Sequence, residues 1–95
     1  MVESDFSDTA TKFLKRNKAV NKVIMAKIKK CLEDHLFDTI RSCNKHELKG
    51  EFKGFWRLHV TDYVVIYKIA GIRPYRHAFI YKIMTEKAYH NWIKY

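Results

Sequence analysis

Trp56-Arg57-Leu58-His59-Val60-Thr61-Asp62-Tyr63-Val64-Val65-Ile66-Tyr67-Lys68 is the stretch that decides the fold. Its first five residues alternate. Trp56, Leu58 and Val60 fall on one side of an extended chain, Arg57 and His59 on the other. Thr61-Asp62 is a polar break of hairpin length. Tyr63–Ile69 has the β-branched and aromatic composition of a buried strand. Downstream, Gly71-Ile72-Arg73-Pro74 carries a second turn signal, Tyr75–Met84 reads as a third strand, and Lys87–Tyr95 as a short terminal helix or tail.

Upstream the period becomes helical. Phe6, Ala10, Phe13 and Leu14 mark a helix over 6–16, with Ser4, Asp5 and Ser7 available as N-caps and Asn17 suited to the end. Val20, Val23, Ile24, Ile28, Cys31, Leu32 and His35 mark a longer amphipathic helix over about 19–35. Lys18, Lys22, Lys27, Lys29 and Lys30 lie between them. Residues 36–50 lack a clean period and read as a loop, and Val2 to Ser4 is a candidate edge strand. The layout is α+β: an N-terminal helical hairpin packed on an antiparallel β-sheet, within one domain over 1–95.

Composition narrows the function classes. At 47% hydrophobic and 15% aromatic, the chain is too apolar to be disordered, and three Gly and one Pro are too few for a fibre. The longest aliphatic-aromatic run, Tyr63–Tyr67, is far short of the roughly 20 residues of a membrane span. The start, Met1-Val2-Glu3-Ser4-Asp5, is acidic where a secretory leader is basic, so a cytoplasmic protein is expected. In that setting Cys31 and Cys43 read as reduced thiols. Cys31 and His35 lack the second ligand pair that a zinc site needs, so no metal is expected. Net charge is +9, and residues 1–10 carry −3, which leaves +12 on the remainder. Such a body suits nucleic acid, an acidic protein or an anionic membrane.

Arg57 and His59 share a strand face, which is the solvent-open side of the sheet if Leu58 and Val60 meet the helices; His46, in the loop, and Lys49 and Lys53 precede them, and Asp62 follows in the turn. Two imidazoles, a guanidinium, lysines and a carboxylate thus fall within seventeen positions, His46 to Asp62. These are the parts that cleave an RNA phosphodiester without metal. A base takes the 2′-hydroxyl proton, a cation stabilises the phosphorane-like transition state, and an acid protonates the leaving 5′-oxygen. Histidine suits both proton roles, with an unperturbed pKa near 6.5. The same residues have structural uses: His46 pinning a loop, His59 as an exposed strand residue, Asp62 as a turn former.

The segment from His46-Glu47-Leu48-Lys49-Gly50 through Gly54 to His59-Val60, Asp62-Tyr63 and Ile66-Tyr67-Lys68 resembles the signature of the RelE/ParE superfamily of bacterial toxins. It is nearest the YafQ-like branch. The resemblance implies a RelE/ParE-like, microbial RNase-like fold spanning the chain. It implies a toxin of a type II toxin–antitoxin system that acts as a cofactor-free endoribonuclease on mRNA in the ribosomal A site. It also implies contact with ribosomal RNA, silencing by a cognate antitoxin, expected to be acidic, and no membrane. Within the same fold, a ParE-like toxin acting on DNA gyrase and a degenerate RNA-binding member are the alternatives.

The resemblance also assigns roles. His46, Arg57, His59 and Asp62 match catalytic positions, with Lys82 where a late arginine is expected. Tyr63 and Tyr89 match aromatics that contact RNA, and Lys49, Lys53 and His90 join that RNA-binding set. Two positions depart from the pattern. Val64 stands where RelE-like members often carry Arg, and no histidine occupies the late catalytic position, leaving Glu86 or His90 for that proton role.

Overall fold

The computed structural model describes residues 4–36, 45–71 and 77–93. In chain order the elements are β1 (Ser4–Phe6), α1 (Asp8–Arg16), α2 (Lys18–Leu36), β2 (Lys45–Glu47), a 3-10 turn (Gly50–Phe52), β3 (Trp56–Val60), β4 (Tyr63–Ala70), β5 (His77–Thr85) and α3 (Glu86–Ile93). The five strands form one sheet in the order β1-β5-β4-β3-β2. The β2–β3, β3–β4 and β4–β5 pairs are antiparallel, while β1 runs parallel to β5, so the sheet is mixed.

The helical hairpin forms as the periodicity indicates, except that the first helix starts at Asp8 where 6–16 was expected, because Phe6 belongs to β1. Ser7 caps α1, its hydroxyl accepting from the Ala10 N–H at 3.1 Å, an interaction worth about 1 kcal/mol. Asn17 ends the helix, its side-chain amide donating to the Phe13 carbonyl at 2.8 Å. One apolar face of the hairpin then meets one face of the sheet. Ala10, Ile24, Ile28, Cys31 and Leu32 pack against Leu58, Val60, Val65, Tyr67, Ala78, Ile80 and Ile83.

The other sheet face was expected to lie open, and it does not. Leu48, Val64, Ile66 and Tyr89 form a second buried cluster, flanked by Phe52, Phe55, Tyr81, Met84, Trp92 and Ile93. The terminal segment read as a helix or tail is α3, which covers this face. Both alternating sets of β4 side chains are therefore buried: Val65 and Tyr67 towards the hairpin, Val64 and Ile66 towards α3.

Three further expectations are corrected. Lys45–Glu47 is a strand where a loop was expected, paired to β3 at the sheet edge. The edge strand expected over Val2 to Ser4 runs on through Phe6, described as Ser4–Phe6, and Phe6 packs on the hairpin-side core. Cys31 is buried and disulfide-bonded, not a reduced thiol. Cys43, Val2 and the 72–76 turn lie outside the described residues.

Two local features shape the sheet. Ile66 pairs with Lys82 and Tyr67 with Ile80, so Tyr81 is the extra residue of a β-bulge. At the β3–β4 hairpin Thr61 holds φ +52°, a left-handed backbone that β-branched residues rarely adopt. Its hydroxyl donates to the Val60 carbonyl at 2.7 Å.

Candidate functional site

β3 places Leu58 and Val60 in the hairpin-side core, so Arg57 and His59 project to the α3 side. Residues directly opposite each other on paired strands share a face. His46 on β2 is opposite Arg57, Arg57 is opposite Ile66 on β4, and Ile66 is opposite Lys82 on β5. His46, Arg57, Ile66 and Lys82 therefore form one row across four strands. The next row starts at His59, which pairs with Val64, itself paired with Met84. Ile66 and Val64 are fully buried and form an apolar floor between the polar groups.

α3 supplies the rest. The Glu86 N–H donates to the Asp62 carbonyl at 2.9 Å, tying the start of the helix to the β3–β4 turn. The Thr85 hydroxyl accepts from the Ala88 N–H at 3.2 Å, capping that start. Glu86 and His90 lie one turn apart with Nε2 and Oε1 at 3.8 Å, both largely exposed. The Tyr89 ring turns inward, and the Arg57 guanidinium carbon lies 5.6 Å from its centroid. That geometry is a cation–π contact worth about 0.5–2 kcal/mol.

His59 is half-buried, and its pKa is lowered from 6.5. Burial is the main cause, because removing water penalises the imidazolium. The Arg57 charge adds to it, Glu86 opposes it, and His46 and His90 contribute smaller lowering effects. A depressed pKa leaves the imidazole neutral near pH 7 and free to accept a proton. A guanidinium, two further imidazoles and one carboxylate act on this base.

Not every residue singled out from the sequence joins this group. Tyr63 turns to the hairpin side, where its ring meets Phe13 edge-on at 5.7 Å. Tyr89 is 4% exposed. Asp62 is exposed in the turn, and its recorded bond is through the backbone carbonyl. Lys49 and Lys53 are exposed at either end of the 3-10 turn, and Lys82 sits over the Tyr81 ring at 5.6 Å.

Among the described residues no three His, Cys, Asp or Glu side chains converge as metal ligands do. No helix among them is long and apolar enough to cross a membrane.

What the sequence reading missed is the lid. Tyr89, Trp92 and Ile93 recur at i, i+3 and i+4, the spacing of a helix with one apolar face, and that signal was available.

The family model describing the ParE toxin of type II toxin–antitoxin systems, parDE, matches residues 4–85. No curated protein matches the chain. Among solved structures, a YoeB/ParE toxin from Agrobacterium tumefaciens is similar with a TM-score of 0.72 at 10% identity, over 90% of this chain and 99% of that one. YafQ from E. coli strain BL21(DE3) is similar with a TM-score of 0.63 at 20% identity, over 94% and 98%. The RelB–RelE antitoxin–toxin complex from Methanococcus jannaschii has a matching chain with a TM-score of 0.67 at 18% identity, over 93% and 96%. At these identities the likeness is one of fold.

Proposed function

This chain belongs to the ParE toxin family of type II toxin–antitoxin systems, within the RelE/ParE superfamily, and on that premise we propose that it is an endoribonuclease that cleaves mRNA on the ribosome. The observation that carries this reading is the pairing of a depressed-pKa histidine, His59, with Arg57 on one sheet face. His59 takes the proton of a ribose 2′-hydroxyl. The oxygen attacks the adjacent phosphorus, and Arg57 stabilises the extra negative charge of the transition state. The leaving 5′-oxygen receives a proton from an imidazolium, with His46 opposite Arg57 and His90 on α3 both at the rim. Glu86 holds part of the charge balance at His59. Lys49, Lys53 and Lys82 draw the phosphate backbone to this face.

The partner that silences such a toxin is an antitoxin, as RelB accompanies RelE in the complex noted above. A cationic body with +9 net charge suits an acidic one. A second reading keeps the fold and changes the target: a ParE-like toxin acting on DNA gyrase. Val64, where RelE-like members often carry Arg, is fully buried here, and that favours it.

Brief induction followed by mapping of transcript 5′ ends separates the two. Cuts in codon register within open reading frames, lost in His59→Ala, support the nuclease. Intact transcripts with blocked supercoiling support the gyrase reading, and harmless expression with intact RNA binding supports a degenerate member.

A further inference from the structure

Arg57 lies in the middle of the row across the sheet, yet what faces its guanidinium comes from α3. We infer that Tyr89 is a positioning residue whose buried ring holds the Arg57 guanidinium over the sheet face beside His59. This rests on the nuclease reading of the same site.

The ring is well fixed. It is 4% exposed, and the Trp92 ring lies 6.3 Å from it, itself 4.3 Å from the ring of Phe52 in the 3-10 turn at a tilt of 39°. The start of α3 is tied down by the Glu86 N–H bond to the Asp62 carbonyl and the Thr85 cap. A guanidinium held over an aromatic ring by attraction to its π face still has N–H donors to offer an anion. Arginine on a bare strand samples many rotamers, and a fixed ring removes most of them. The arrangement therefore presents preorganised donors to a phosphate. The charged and titratable groups that act on His59 are Arg57, Glu86, His46 and His90. Displacing Arg57 must therefore register at His59.

The test is an NMR titration of His59 in the full chain, beside Arg57 ring-current shifts and cleavage kinetics on programmed ribosomes. The wild type is compared with Tyr89→Phe, Tyr89→Leu, Arg57→Ala and the Leu/Ala double variant. The Arg57 Cδ protons should be shifted upfield in the wild type and in Tyr89→Phe. The His59 pKa should rise in Tyr89→Leu and in Arg57→Ala, and the double variant should match Arg57→Ala. Tyr89→Leu should lower kcat tenfold or more with KM little changed, with no further loss in the Arg57→Ala background. The inference is overturned if Tyr89→Leu leaves the His59 titration unmoved, or if its effect adds in full to that of Arg57→Ala, as mere loss of burial does. If Tyr89→Leu fails to fold, absence of the upfield shift in the wild type overturns it as well. A wild type that cleaves no mRNA defeats the nuclease reading and the catalytic role with it, while the titration and ring-current arms still decide whether Tyr89 holds Arg57.

Discussion

His46 on the edge strand stands directly opposite Arg57 on β3, so an imidazole and a guanidinium eleven residues apart in sequence share one face. In an antiparallel ladder such partners have Cα atoms about 4.5–5.5 Å apart. His59 lies two residues further along β3, and both partners lower its pKa, Arg57 more than His46. The face these groups share is suited to a phosphodiester.

The pH dependence follows from His59. Its folded pKa is below 6.5, and its unfolded pKa is near 6.5. As a base, it makes kcat/KM rise with pH along an acid limb whose inflection lies below 6.5. The unfolded chain binds the proton more readily, so the contribution of His59 to stability is complete above 6.5 and is lost as pH falls through the folded value. Denaturant titrations across that window should show the loss in the wild type and a smaller one in His59→Gln.

Arg57 should be hard to replace. Arg57→Ala is expected to lower the single-turnover cleavage rate by about 10²–10³-fold, the usual range for losing a donor aimed at developing negative charge. Arg57→Lys keeps the charge but not the planar fork, and should recover only part of the rate. Quenched-flow cleavage of a ribosome-bound message measures both.

The apolar floor should matter as much to folding as to the site. Ile66 is fully buried and lies between Arg57 and Lys82 in the row. Ile66→Ala should destabilise the fold by about 2–5 kcal/mol. Urea denaturation followed by far-ultraviolet circular dichroism gives that value.

Binding to RNA should be strongly salt-dependent. For single strands, log affinity falls by about 0.7 per neutralised phosphate for each unit of log salt. Lys49→Ala and Lys53→Ala should each flatten that slope by about 0.7 if each lysine neutralises one phosphate. Fluorescence anisotropy with a labelled oligonucleotide at several salt concentrations reads the slope directly.

Much of the fold was legible in the chain. Alternation over Trp56–Val60 fixed which side of β3 meets the hairpin, and the helical spacing of α1 and α2 placed the hairpin itself. β2 escaped because Lys-His-Glu has no apolar alternation, and only pairing with β3 makes it a strand. The side of Tyr63 was harder. β4 is apolar on both faces, so its pattern does not say which set meets which layer. Tyr63 shares its parity with Val65 and Tyr67 and follows them to the hairpin. Within the site, Arg57 and His59 come to one face as the alternation implied, and His46, read as a loop residue, joins them through β2 pairing. Glu86 and His90 reach them because α3 folds back; the spacing of Tyr89, Trp92 and Ile93 marks its apolar face, but local spacing does not give the sheet face on which it lands.

The chemistry at the cut ends is the most direct measure of a base and a cation acting on a ribose-phosphate. Ribosome-bound mRNA incubated with the purified protein should yield a 5′-hydroxyl on one fragment and a 2′,3′-cyclic phosphate, or the monophosphate from its opening, on the other. Both products should vanish in His59→Ala. Fragments ending in 5′-phosphate and 3′-hydroxyl, or a message left whole by the wild-type protein, would contradict the account.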